Sequence, residues 1–199
     1  MKKATQGMTL TELLIASILV GIIMAGAVSV DFAIRRGRKN MADGAKIAME
    51  LNAAMLQMTR DAMAATGDAS SPGIVSDDTG AIFNICFRYD ANMTPNSYAD
   101  DEWICYSQDT TQKIIRRCIQ TAASGPLGGE SACPAGSERI TQMRSDYASP
   151  FFAVIQTGGE IDRIHFSLST CADPSQAENP ITNPCQSVTS SINPPSMSR

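Results

Sequence analysis

The sequence predicts an α+β protein, with a long N-terminal helix packed on a C-terminal antiparallel β-sheet head. Three observations carry this. Residues 8 to 66 contain no proline and keep a helical period. From Ala81 the apolar residues recur every second position, as in half-buried strands. All six cysteines, Cys86 to Cys185, fall in this second region and mark it as disulfide-braced.

The helix opens on an apolar run. Leu13 to Val30 is eighteen residues without a charge, close to the roughly 20 needed to cross ~30 Å of hydrocarbon. Glu12 stands at the leading edge of that run. A lone acidic residue costs about 2.5–3.5 kcal/mol at mid-span on insertion scales, so Glu12 is a functional candidate. Arg35, Arg36, Arg38 and Lys39 follow the span and read as a solvated helix segment. Beyond them Met41, Ala48, Met55 and Ala62 recur every seven residues, each followed after three by Gly44, Leu51, Met58 or Ala65. This narrow stripe reads as a core-facing seam, with Lys46, Glu50, Gln57, Arg60 and Asp61 off it. Gly37 and Gly44 weaken the helix by about 1 kcal/mol each relative to alanine. Gly67 and Ser70-Ser71-Pro72-Gly73 end it.

An ordinary secretory signal is one reading of the N-terminus, since Ala25-Gly26-Ala27 offers a small-x-small cleavage site. Glu12 and the continuing helical pattern argue against it. A plain membrane anchor gives Glu12 no purpose. The run Gly7-Met8-Thr9-Leu10-Thr11-Glu12-Leu13-Leu14-Ile15-Ala16 instead resembles the processing signal of type IV pilins and type II secretion pseudopilins. That resemblance covers about the first thirty residues and is one of layout beyond them. It implies a leader of residues 1–7, cleavage after Gly7, methylation of the new amine of Met8, and retention of Glu12. Met8 stands where the family usually has phenylalanine.

In the head, residues 72–199, the first strands are read at Ala81–Tyr89, Trp103–Ser107 and Lys113–Ile119. They form an antiparallel meander whose apolar face carries Ile85, Phe87, Ile104, Tyr106, Ile115 and Ile119, packed on the helix seam. Ser124 to Gly129 is a loop by composition. Two further strands are expected at Phe151–Ile155 and Ile161–Leu168, joined through Gly158-Gly159 as a hairpin turn. From Ala172 the chain is rich in Pro, Ser and Asn, and reads as a loop ending in a mobile tail.

The spacing of Cys86, Cys105, Cys118, Cys133, Cys171 and Cys185 contains no Cys-x-x-Cys, which disfavours a zinc site and points to three disulfides in an oxidising compartment. The meander register allows Cys105 opposite Cys86 and equally opposite Cys118. Short local loops favour Cys86–Cys105, Cys118–Cys133 and Cys171–Cys185.

No catalytic set, cofactor site or metal site is expected. His165 is the sole histidine and sits in an alternating strand, where a structural role is the simpler one. Asp77-Asp78 and Asp100-Asp101-Glu102 lack the spacing of a calcium loop and read as exposed turn carboxylates. The net charge of −4 grows more negative when Lys2 and Lys3 leave, which argues against nucleic-acid binding.

The resemblance implies the rest. Its layout is most similar to minor subunits of PilW or GspJ type, which initiate or cap a filament. The implied partners are prepilin peptidase, other pilin or pseudopilin subunits, an inner-membrane assembly platform, and membrane lipid before assembly. The helix would sit in the bacterial inner membrane with its head in the periplasm, then move into the pilus or pseudopilus. Glu12 would dock against the Met8 amine of a neighbouring subunit. The rival class is a pilus-borne adhesin or a DNA-uptake subunit, which a basic, aromatic-lined head surface would favour.

Overall fold

The computed structural model describes residues 9–67, 73–79, 82–90, 92–94, 98, 100–121, 132–144, 149–157, 160–179 and 182–195. The chain divides into two compact units, Met1–Ala42 and Asp43–Arg199. One helix, α1 (Leu10–Met63), runs through the division. In the first unit its apolar side chains, from Leu10 to Ile34, are exposed within the chain. Asp31 and Arg35 form a solvated i, i+4 ion pair at 2.8 Å, and Arg36, Arg38 and Lys39 are exposed as well.

In the second unit the same helix has a buried face made by Ile47, Leu51, Ala54, Met55, Met58, Ala62 and, past its end, Ala65. The seam is therefore wider than the expected stripe, and it begins later: Met41 is exposed. Asp61, expected off the stripe, is 4% exposed and belongs to the core face. The sheet supplies the reason. Tyr106 Oη donates to Asp61 Oδ2 at 2.7 Å and Arg117 Nε donates to the same oxygen at 3.0 Å. A carboxylate is tolerated at that depth because it is hydrogen-bonded and paired. Burial first, and the Asp61 carboxylate next, hold the Tyr106 phenol well above its ordinary 10.0.

The helix ends at Met63 rather than near residue 66. Thr66 N donates to the carbonyl of Arg88 at 2.9 Å, so a strand takes the chain before another helical turn forms. Gly73 is needed where the chain returns, because a Cβ there would meet the Thr66 carbonyl oxygen at 2.5 Å. Ser70, Ser71 and Pro72 lie outside the described residues.

Among the described residues eight strands follow. The first sheet is ordered β1 (Ile74–Asp77), β2 (Ile82–Tyr89), β3 (Glu102–Asp109), β4 (Ile114–Thr121), β5 (Glu138–Gln142), antiparallel throughout. Its middle is the expected meander. Ile85, Phe87, Tyr106 and Ile115 are buried beneath the helix, and Ile104 is partly buried. Ile119 is the exception, exposed near the sheet end, where Tyr89, the partner of Glu102, is exposed as well. The short edge strands β1 and β5 were not expected; both carry too few apolar residues for a period to show. The loop at Ser124 to Gly129 lies outside the described residues.

The second sheet is β6 (Phe152–Thr157), β7 (Glu160–Cys171) and β8 (Cys185–Ile192). Thr157 pairs with Glu160; Gly158 and Gly159 lie outside the described residues. Ile164, Phe166 and Leu168 are buried together, as their alternation predicts. The two sheets share one core: the Phe87 ring meets Phe166 edge-on at 6.5 Å and Tyr106 at 6.1 Å. The expectation of a loop and mobile tail beyond Ala172 is corrected by β8, which pairs with β7 along eight residues from Cys171↔Cys185 to Ile164↔Ile192. Its polar composition hides three inward positions: Val188 and Ser190 are half-buried and Ile192 is buried.

Candidate functional site

The candidate site is the start of α1. Gly7 and Met8 lie outside the described residues, so the geometry begins at Thr9. Thr9 N donates to Glu12 Oε2 at 2.9 Å, and Thr9 Oγ1 donates to the same oxygen at 2.9 Å. Glu12 N donates back to Thr9 Oγ1 at 3.3 Å. This is a reciprocal capping box: the hydroxyl satisfies one orphan amide at the helix start and the carboxylate satisfies another. The first helical bond, Leu13 N to Thr9 O at 3.2 Å, completes it.

Two properties of Glu12 follow. Its negative charge lies in the first turn, where the helix dipole favours an anion. Its Oε2 is engaged by Thr9, while among the described residues no group meets Oε1. The Thr-x-x-Glu spacing of Thr9 and Glu12 is the local sequence signal for this cap. The polar residues further along are satisfied locally. Ser17 Oγ donates to Leu14 O at 2.8 Å and Ser29 Oγ to Gly26 O at 2.7 Å, as hydroxyls in an apolar helix must. This helix is long and apolar enough to cross a membrane, with none of its most apolar window buried.

The remaining candidates lie in the head. Disulfides join Cys86 to Cys105, Cys118 to Cys133 and Cys171 to Cys185, and no cysteine is free. Cys105 faces Cys86 on one side and Cys118 on the other. Antiparallel partners alternate between close and wide pairs, so a central-strand residue is close to only one neighbour. A Cα–Cα distance of 4.0 Å makes Cys86 that neighbour. Cys118 instead reaches Cys133, at 5.6 Å, across the outer face of the sheet. Cys86, Cys105 and Cys133 are buried there with Trp103, so this face forms a second, smaller core.

The acidic groups do separate jobs. Asp77 Oδ1 accepts the Thr79 amide and hydroxyl in a turn, which holds its carboxyl below the usual range. Asp100 accepts Asn92 and Thr94. Asp101 departs from the expected exposed turn carboxylate: it is 1% exposed and ion-paired with the fully buried Arg88. Burial raises its pKa, and the Arg88 hydrogen bond opposes that. The guanidinium also lies 4.5 Å from the Tyr98 ring centre, and Tyr98 stacks on Trp103. Among the described residues no group of three His, Cys, Asp or Glu converges as a metal site. His165 Nδ1 is 2.8 Å from Ser191 Oγ across the β7–β8 pair.

Residues 2–28 match the family model of the prokaryotic N-terminal methylation motif. No curated protein and no solved structure matches the chain. The motif spans Gly7, Met8 and Glu12 and the apolar start of α1, and the fold beyond it is a helix packed on an antiparallel head, as in pilins. Motif and fold together support a type IV pilin-like subunit.

Proposed function

We propose that the chain is a minor pilin or pseudopilin, a structural subunit that initiates or assists assembly of a type IV pilus or a type II secretion pseudopilus. The observation that carries this is the methylation motif running into a helix whose apolar side chains find no cover in their own unit. Prepilin peptidase would cut after Gly7, and the head would stand in the periplasm while the span rests in lipid. An assembly platform would then transfer the span into the filament. A single long helix, a first sheet built on a meander and a second, three-stranded sheet late in the chain favour the PilW or GspJ type within that class.

Glu12 is the docking residue on this reading. With Oε2 engaged by Thr9, Oε1 is available to a cation. In the low dielectric of a filament core the Met8 amine of an adjacent subunit is the matching charge. The role is structural rather than catalytic, in keeping with the cross-strand tie of His165 and the ion pair of Asp101. Mass spectrometry of the mature protein is the test. Methylated Met8 at the N-terminus is expected; an N-terminus at Val28, or one that keeps residues 1–7, overturns the reading.

A further inference from the structure

We propose that Asp61, with Tyr106 and Arg117, is a register latch that fixes where the helix segment of residues 43–63 sits along the five-stranded sheet. The argument starts from the seam. Ala48, Leu51, Met55 and Met58 are followed seven residues later by Met55, Met58, Ala62 and Ala65. A slide of seven residues, about 10 Å at 1.5 Å per residue, would lay apolar side chains on the places that apolar side chains now fill. Methionine makes such a seam still more forgiving, because its flexible thioether adapts to the holes it meets. Apolar contact along Met55 to Ala65 therefore discriminates poorly between the two registers, and the apolar loss of a slide falls on Ile47 and Leu51, whose places Asn40 and Gly44 would take.

Asp61 breaks the repeat. Seven residues before it stands Ala54, so a helix slid in that direction would present no carboxylate to the two donors that converge there; seven residues after it stands Asp68, past the end of the helix at Met63. Tyr106 on β3 and Arg117 on β4 are direct cross-strand partners, and both reach Asp61 Oδ2. Tyr106 is fully buried and the Arg117 side chain is 15% exposed, so a slide would strand a buried phenol and leave the guanidinium only its longer pair with Glu138 at 3.9 Å. A second polar tie, Thr141 Oγ1 to Glu50 Oε1 at 2.9 Å, lies three turns earlier on the helix. It discriminates less, since Asp43 and Gln57 stand seven residues to either side of Glu50 and also offer an oxygen acceptor. Within the helix, register thus rests on one buried carboxylate, as a single polar residue can fix the register of a coiled coil, and just past the helix end the Thr66 amide bond to the Arg88 carbonyl holds the same register.

The test uses the full mature chain in detergent, with spin labels on unnatural amino acids at exposed Leu56 and exposed Ile119, so that the disulfides stay intact. Wild type should give one distance. The double variant Asp61→Leu/Arg117→Met removes both charges and leaves neither buried alone. It should fold, keep three disulfides, and show a second distance population with the helix label displaced by about 10 Å along the helix axis. A single unchanged distance in the folded double variant overturns the latch. So does failure of that variant to fold while Asp61→Asn folds normally, because the pair would then be needed for stability rather than register.

Discussion

The two stretches of α1 differ in a way that their hydrophobicity does not foretell. The stretch up to Ala42 is the more apolar, yet its large side chains are exposed. The stretch from Asp43 is mixed in composition, yet Ile47, Leu51, Ala54, Met55, Met58 and Ala62 are buried. Burial follows the availability of a partner. The later stretch has a sheet made by its own chain; the earlier one has none, and on the proposed function its apolar surroundings come from lipid or from other subunits. One helix is thus a core element in one unit and, within its own chain, an uncovered apolar surface in the other.

The largest expected effect falls on the earlier stretch. Glu12→Leu should leave membrane insertion and cleavage after Gly7 intact, since it makes the span more apolar and lies beyond the cut. Incorporation into filaments should be lost. A pair broken in a low-dielectric core costs about 3–5 kcal/mol, more than a hundredfold in occupancy. Membrane fraction, mature mass and abundance in sheared filaments, measured in one strain, check it; wild-type abundance would remove Glu12 from docking.

The contrast itself is broken or sharpened by paired truncations. Leu51→Ala and Met58→Ala, both at fully buried positions, should each destabilise the head by about 2–5 kcal/mol. Leu14→Ala, at an exposed position, should change head stability by less than about 0.5 kcal/mol. Denaturant unfolding of the detergent-solubilised chain, followed by Trp103 fluorescence, separates the two. An equal loss from Leu14→Ala would mean that the earlier stretch also stabilises the head. Removing the Cys171–Cys185 bridge with a double alanine variant should cost about 3 kcal/mol in the chain-entropy model. The loss should appear first as faster hydrogen exchange in β8.

Legibility followed the same division. The apolar span and the methylation motif at its start were readable because both are written in local sequence. The meander was readable because Ile85, Phe87, Ile104 and Tyr106 alternate cleanly. Edge strands were not: β1 and β5 are short, and β8 presents serines and threonines along most of its length. Such strands are set by the neighbour that offers them hydrogen bonds, which no local period records. Asp61 and Asp101 were misplaced for a related reason. A charge reads as exposed until its partner is known, and Arg117 and Arg88 lie far off in sequence or behind a loop. The Thr9–Glu12 cap was local and could have been found.

Burial of Tyr106, and after it the bond to Asp61, give the later stretch a pH signature. Tyr106 has a folded pKa raised above its ordinary 10.0. Its contribution to stability is complete below pH 10 and is lost as pH rises toward the folded value, because the unfolded chain releases that proton first. Wild type should lose up to about 1.4 kcal/mol per pH unit above pH 10. Tyr106→Phe should be less stable at pH 8 but fall less steeply in alkali. Parallel slopes in urea unfolding between pH 9 and 11.5 would show that this phenol does not set the alkaline limit.

The smallest effect is expected at Thr9, and it probes the earlier stretch without touching its charge. Thr9→Ala removes the hydroxyl that accepts from Glu12 N and donates to Glu12 Oε2, while the Thr9 amide keeps its own bond to that oxygen. Loss of such a cap costs about 0.5–2 kcal/mol of helix stability, and the loss is confined to the first turn because the effect of a cap falls off within it. Hydrogen exchange at the amides of Thr11 to Leu14 should therefore speed up by roughly threefold to thirtyfold, with residues 43–63 unchanged. Thr9→Ser keeps the hydroxyl and should restore wild-type exchange. If Thr9→Ala leaves the first-turn amides as protected as before, the carboxylate is not held by this cap, and the availability of its second oxygen loses its structural basis.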